Sequence, residues 1–284
     1  MIYLTIVSVI WAFSFGLIGG TLTSVDPFVV ASLRLGCAAL LFLPFLRIRM
    51  IDGRDRARLI VYGAIQFGLM YGCYMLAFQY LPSHLVAIFS ILTPVYVVLI
   101  YNFQKARFTL FYLLAALCSV GGAFVIKAKT IPTGDFWTGF FLMQGAGMAF
   151  AFGQVAYRHW KSSNREIKDQ SVFGLLALGG MLSAGCFSIL FTEWENVAIS
   201  TDQWIAILYL GVVASGLGFF LWNKGASVSN PGTLAAFNNA VVPLAVICSL
   251  FLFDESKILE FEDTLRLLAG TTLIVLAVGI TAKK

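Results

Sequence analysis

Charge is what this 284-residue sequence has least of. Asp, Glu, Lys and Arg make up 12% of it and hydrophobic residues 60%, whereas soluble globular chains carry roughly 25% charged residues. Ten apolar spans of about 20 residues, the length that crosses a bilayer core, would use about 200 residues and leave only short connections. This excludes a water-soluble enzyme and a protein held by a single anchor. No connection has room for a soluble domain. Histidine is also scarce, with only His84 and His159. The cysteines Cys37, Cys73, Cys118, Cys186 and Cys248 each fall in an apolar run, and no pair has metal-ligand spacing. They read as small buried hydrophobes, with no metal or cofactor implied. The net charge of +5 does not point to nucleic acid, because the basic residues sit in short loops between apolar runs.

What is there is a series of ten hydrophobic segments, at 2–20, 27–46, 59–81, 84–101, 108–126, 137–157, 172–191, 203–222, 231–253 and 264–282. Backbone amides in a bilayer core must be paired within the protein, so each segment is expected to be a helix. The first, Ile2 to Gly20, lacks a basic leading region and reads as a span rather than a cleaved leader. The breaks carry turn residues: Asp26-Pro27, Leu81-Pro82-Ser83, Thr133-Gly134-Asp135 and Asn230-Pro231-Gly232. With the N-terminus cytoplasmic, 14 of the 19 Lys and Arg residues fall on the inner side, among them Arg47, Arg54, Lys105, Arg158, Lys224 and Lys284. Under the positive-inside rule both termini are cytoplasmic.

The two halves resemble each other. Trp11-Ala-Phe-Ser-Phe-Gly lies over Met148-Ala-Phe-Ala-Phe-Gly. Pro82, Leu85, Ala87 and Pro94 lie over Pro231, Leu234, Ala236 and Pro243, and a third block aligns Leu113–Lys129 with Leu267–Lys283. Five spans per copy is an odd number, so the second copy (131–284) enters the membrane opposite to the first (1–130). Inverted repeats are the architecture of secondary transporters, with the substrate site near the midplane between the copies.

Several motifs carry a family resemblance: Trp11-Ala-Phe-Ser-Phe, Pro27 followed by Arg34, the mid-helix Pro94 and Pro243, Glu255 closing the ninth span, and Gly270-Thr-Thr-Leu-Ile-Val-Leu-Ala-Val-Gly279. By these, over essentially its whole length, the chain resembles the drug/metabolite transporter superfamily, specifically its bacterial EamA branch. The resemblance implies ten helices, transport by alternating access, and a central cavity lined by helices 1, 3, 4, 6, 8 and 9. One departure is Ala106, which stands where symmetry with Glu255 would put an acid.

Polar side chains inside apolar runs need partners or water, so they mark a candidate cavity. They are Trp11 and Ser14 in helix 1, Gln66 and Tyr74 in helix 3, Ser90 and Thr93 in helix 4, and Gln144 and Gln154 in helix 6. Ser215, Trp222 and Asn223 follow in helix 8, and Asn238 and Asn239 in helix 9. Each Ser or Thr could instead bond its own helix carbonyl. Arg34 is the one formal charge well inside a span. It reads either as the partner of a substrate carboxylate or as a post clamped on helix-end carbonyls, and the resemblance favours the post. No Asp or Glu lies well inside a span, which disfavours coupling through a buried acid.

The expected function is therefore a secondary transporter moving a small polar metabolite, an amino acid or a derivative such as S-adenosylmethionine, across the cytoplasmic membrane. Expected partners are that solute and the lipid bilayer, with no nucleic acid. The Ala/Gly-rich faces of helices 5 and 10 could support a homodimer. The alternative, a membrane-embedded enzyme acting on a lipid or small metabolite, needs a nucleophile with a base, or metal ligands, at membrane depth. With two histidines and no buried acid, that constellation is missing.

Overall fold

The computed structural model describes residues 1–22, 24–77, 80–81, 89–106, 108–127, 136–252 and 261–282. Pro82, His84 and Glu255, singled out above, lie outside them. Among the described residues the structure is helical, with no strand. The helices are α1 (Ile2–Thr21), α2 (Pro27–Phe42), α3 (Gly53–Ala77), α4 (Thr93–Lys105), α5 (Leu110–Lys127), α6 (Phe136–Ser163), α7 (Phe173–Phe191), α8 (Thr201–Val228), α9 (Pro231–Leu252) and α10 (Phe261–Ala282). Of the described stretches, 27–45, 53–77, 137–163, 173–191 and 201–228 are long and apolar enough to cross a membrane. Shorter apolar helices run over 2–14, 110–126 and 265–281.

Helix ends differ most from the hydrophobic segments where charge accumulates. α3 begins at Gly53 rather than 59 and so takes in Arg54, Asp55, Arg56 and Arg58. α6 runs to Ser163 rather than 157, through Arg158 and Lys161. Long polar side chains are good helix formers, so the helix continues where the apolar signal stops. Arg158 then bonds the Ser229 carbonyl at 3.1 Å and lies 5.4 Å from the centre of the Tyr101 ring.

Cap residues also tie neighbouring helices together. Asp26 Oδ1 accepts the Phe28 and Val29 amides at the start of α2, where Pro27 needs no donor partner, and accepts the Thr192 hydroxyl from the end of α7. Ser200 and Gln203 form a capping box on α8, and Gln203 Nε2 reaches Thr21 O and Ser24 Oγ after α1. Asn230 Oδ1 accepts the Thr233 amide at the start of α9, while its Nδ2 donates to Thr281 O at the end of α10 at 2.6 Å.

Packing follows a matched pattern. α1 packs on α9 and α6 on α4; α2 on α8 and α7 on α3; α1 on α8 and α6 on α3; α2 meets α7, and α5 meets α10. Glycine permits several of these approaches. An added Cβ at Gly63 would lie 1.9 Å from Leu176 O, and one at Gly179 would lie 1.9 Å from Ile60 O, so α3 and α7 touch backbone to backbone. Backbone cannot swing aside as a side-chain tip can. Gly179→Ala is therefore expected to destabilise by about 3 kcal/mol, at the upper end of overpacking costs. Thermal unfolding in detergent should show the loss, while Gly185→Ala, with open space around it, should leave the midpoint unchanged. Gly122 and Gly270 meet in the same way, each Cβ position falling within 2.6 Å of the other's carbonyl oxygen. The small-residue faces of α5 and α10 that suggested a dimer thus meet each other within one chain.

Two equivalent helices share an irregularity. α3 passes through a π segment at Ala64–Leu69, and α8 through one at Leu210–Leu217. Such segments recur at functional sites, and here they contain Gln66 and Ser215.

Candidate functional site

The polar side chains marked in the sequence form linked clusters where α1, α2, α3, α6, α8 and α9 converge. In the first, Arg34 of α2 is 6% exposed. Its Nε donates to Ser215 Oγ at 3.1 Å, and the guanidinium lies 5.4 Å from the centre of the Tyr71 ring on α3. The Nε bond goes to α8 rather than to a helix-end carbonyl. Among the described residues, Arg34 has no ion-pair partner. A guanidinium that deep is costly without compensation, and a hydroxyl plus an aromatic face supply only part of it.

In the second cluster Gln66 of α3 and Asn223 of α8 face each other as a reciprocal amide pair. Gln66 Nε2 donates to Asn223 Oδ1 at 2.9 Å, and Asn223 Nδ2 donates to Gln66 Oε1 at 3.2 Å. They are 0% and 1% exposed. Gln66 is held from behind by α6, because a Cβ on Gly153 would fall 2.1 Å from the Gln66 Cβ.

The third cluster centres on Gln154 of α6. Its Oε1 accepts from Trp222 Nε1 at 3.0 Å and from Asn238 Nδ2 at 3.4 Å. Trp11 of α1 stacks on Trp222 with ring centres 4.8 Å apart, and its own N–H donates to Ala214 O in the π segment of α8 at 2.9 Å. Phe219 joins the clusters, stacked on Phe67 at 4.4 Å and edge-on to Trp11 at 5.6 Å. The face of α8 bearing Ser215, Phe219 and Asn223, at successive intervals of four, thus runs from Arg34 past aromatic rings to the amide pair.

The remaining candidates stand apart from this path. Asn239 Nδ2 donates to Ile91 O at 3.0 Å, and Thr93 Oγ1 caps Ser90 O, which Pro94 cannot bond, at 2.7 Å. Gln144 accepts the Tyr96 hydroxyl at 2.7 Å, while its buried Nε2 has no partner among the described residues. Ser14 bonds its own helix at Ile10 O, 2.7 Å away. Tyr74 lies between two hydrophobic clusters of the interior. Tyr71 and Phe219, as neighbours of Arg34 and Trp11, carry no polar signal of their own in an apolar run.

An all-helical, multi-pass membrane protein with amides, indoles and one uncompensated guanidinium packed at its centre belongs to the solute carriers by class. The chain is a member of the EamA-like transporter family, whose pattern matches residues 1–128 and 137–282. It is 36% identical over 282 residues to a probable biotin transporter of Pseudomonas aeruginosa, spanning 99% of this chain and 96% of that one. It is equally 36% identical over 257 residues to biotin transporters of Salmonella typhimurium and Escherichia coli K12, covering 90% of this chain and 85% of each. A crystal structure superimposes with a TM-score of 0.78 over 99% of this chain and 98% of the other; at 18% identity it speaks to the fold. The chain is thus a transporter of a small molecule, not an enzyme, and a multi-pass protein of the inner membrane.

Proposed function

We propose that this protein carries biotin across the inner membrane by alternating access. The observation that carries the reading is the shared name of relatives matching nearly end to end at 36% identity. Nothing in those names supports an amino acid or S-adenosylmethionine. Biotin is a bicyclic urea with a thioether ring and an aliphatic arm ending in a carboxylate. Arg34 suits the carboxylate, Trp11, Trp222 and Phe219 the apolar body, and the amides of Gln66, Asn223, Gln154 and Asn238 the polar ring.

In this reading the chain crosses the membrane ten times, with both termini cytoplasmic, as inverted repeats at 1–130 and 131–284. The matched helix pairings, the π segments in both α3 and α8, and the family match in two stretches support that arrangement. Closely packed clusters on the mid-chain faces fit an occluded state.

The test is uptake of labelled biotin by proteoliposomes containing the purified protein, against empty vesicles. Saturable uptake, suppressed by unlabelled biotin and not by alanine or S-adenosylmethionine, is expected. Uptake no faster than in empty vesicles would sink the assignment.

A further inference from the structure

We propose that the Gln66–Asn223 amide pair is the subsite that reads the urea edge of the substrate, with the substrate replacing one carboxamide against the other. This rests on the reading of the same centre as a biotin site. Two carboxamides facing each other with one N–H and one C=O apiece form a cyclic pair of hydrogen bonds. One edge of a cyclic urea offers the same N–H beside C=O, so it can take the place of either carboxamide bond for bond. Opening the pair for such a ligand leaves the number of satisfied groups nearly unchanged. Opening it for a ligand without that edge strands buried donors and acceptors, and sites built around hydrogen bonds discriminate strongly against analogues that lack them.

Three further observations place the pair where it can serve. The pair joins α3 to α8, so a ligand that parts it acts on both equivalent helices at once. Gln66 lies in the π segment of α3 and is backed by Gly153, so its carboxamide is held in place rather than swinging freely. Along α8, Asn223 is eight residues beyond Ser215, the hydroxyl bonded to Arg34, which is about 12 Å at helical rise. The Phe219 ring lies between them on that face. A rod-shaped molecule with a carboxylate at one end, an apolar middle and a urea at the other matches that order of groups.

The experiment is competition for labelled biotin uptake in proteoliposomes by desthiobiotin, which keeps the urea and loses the sulfur, and by lipoate, which keeps a sulfur ring and carboxylate arm and has no urea. The wild type should be inhibited by desthiobiotin at a concentration at least tenfold lower than by lipoate. In Gln66→Leu, uptake should fall at least tenfold and the two competitors should become equivalent. The exchange Gln66→Asn with Asn223→Gln, which rebuilds the pair, should restore the preference. Should Gln66→Leu not reach the membrane, Gln66→Glu, which keeps shape and acceptors but lacks the amide donor, carries the same comparison. Biotin uptake with the desthiobiotin preference intact in these single variants would overturn the subsite and leave the biotin reading standing. No biotin uptake by the wild type would overturn both.

Discussion

Arg34→Ala is expected to lower biotin uptake at least about 100-fold, in line with the 2–5 kcal/mol lost when one partner of a buried charge pair is truncated. The variant removes the one guanidinium packed among α2, α3 and α8, together with its bond to Ser215. Arg34→Lys should recover only a fraction, because an ammonium cannot hold Ser215 through Nε while presenting a planar fork to a carboxylate. The decisive comparison is with the uncharged amide of biotin. If Arg34 holds the carboxylate, Arg34→Ala should hardly alter the weak competition by the amide while sharply weakening competition by biotin. Equal losses for both, with the protein still folded in the membrane, would reduce Arg34 to a link between α2 and α8.

Asn239→Ala should reduce uptake at least about tenfold with the protein still present in the membrane, through the loss of one interhelical bond and the orphaning of a buried carbonyl. Asn239 lies four residues before Pro243, and Ser90 four before Pro94, so both helices have a carbonyl that proline cannot serve. The Asn239 amide spans from α9 to Ile91 O beside the break preceding α4. Without it the two proline-broken helices lose their direct link. The effect should appear in the maximal rate rather than in the concentration for half-maximal uptake, because Asn239 ties helices together outside the path from Arg34 to Gln66. A raised half-maximal concentration at an unchanged maximal rate would instead make Asn239 a direct contact.

The helical, membrane-embedded character was legible in the sequence because apolar runs and scarce charge leave the backbone no other way to satisfy its amides. Helix ends were less so: Gly53 to Arg58 and Arg158 to Ser163 are helical through propensity, which hydropathy does not register. The candidate site was legible as a set of residues but not as a set of contacts. Aligning the halves matches Gln66 with Ser215 and Tyr74 with Asn223, yet Gln66 bonds Asn223, and Ser215 bonds Arg34. Symmetry-related residues touch only near the axis, and elsewhere each meets a different residue of the other copy. Gln154, one of several amides in the sequence, proved to be the hub for Trp222 and Asn238.

The π segments in α3 and α8 have a consequence for how such a chain can fail. A π turn holds one residue more than the α turn it replaces, so it sets the rotational phase of everything that follows. Deleting one residue within 64–69 would leave a helix as apolar and nearly as long, which still enters the bilayer. Tyr71 would nevertheless be turned by about 100° relative to the part of the helix that precedes the deletion. The cation–π contact to Arg34 and the amide pair to Asn223 could no longer be aimed together, and the result would be a sound membrane protein with its gearing slipped by one tooth.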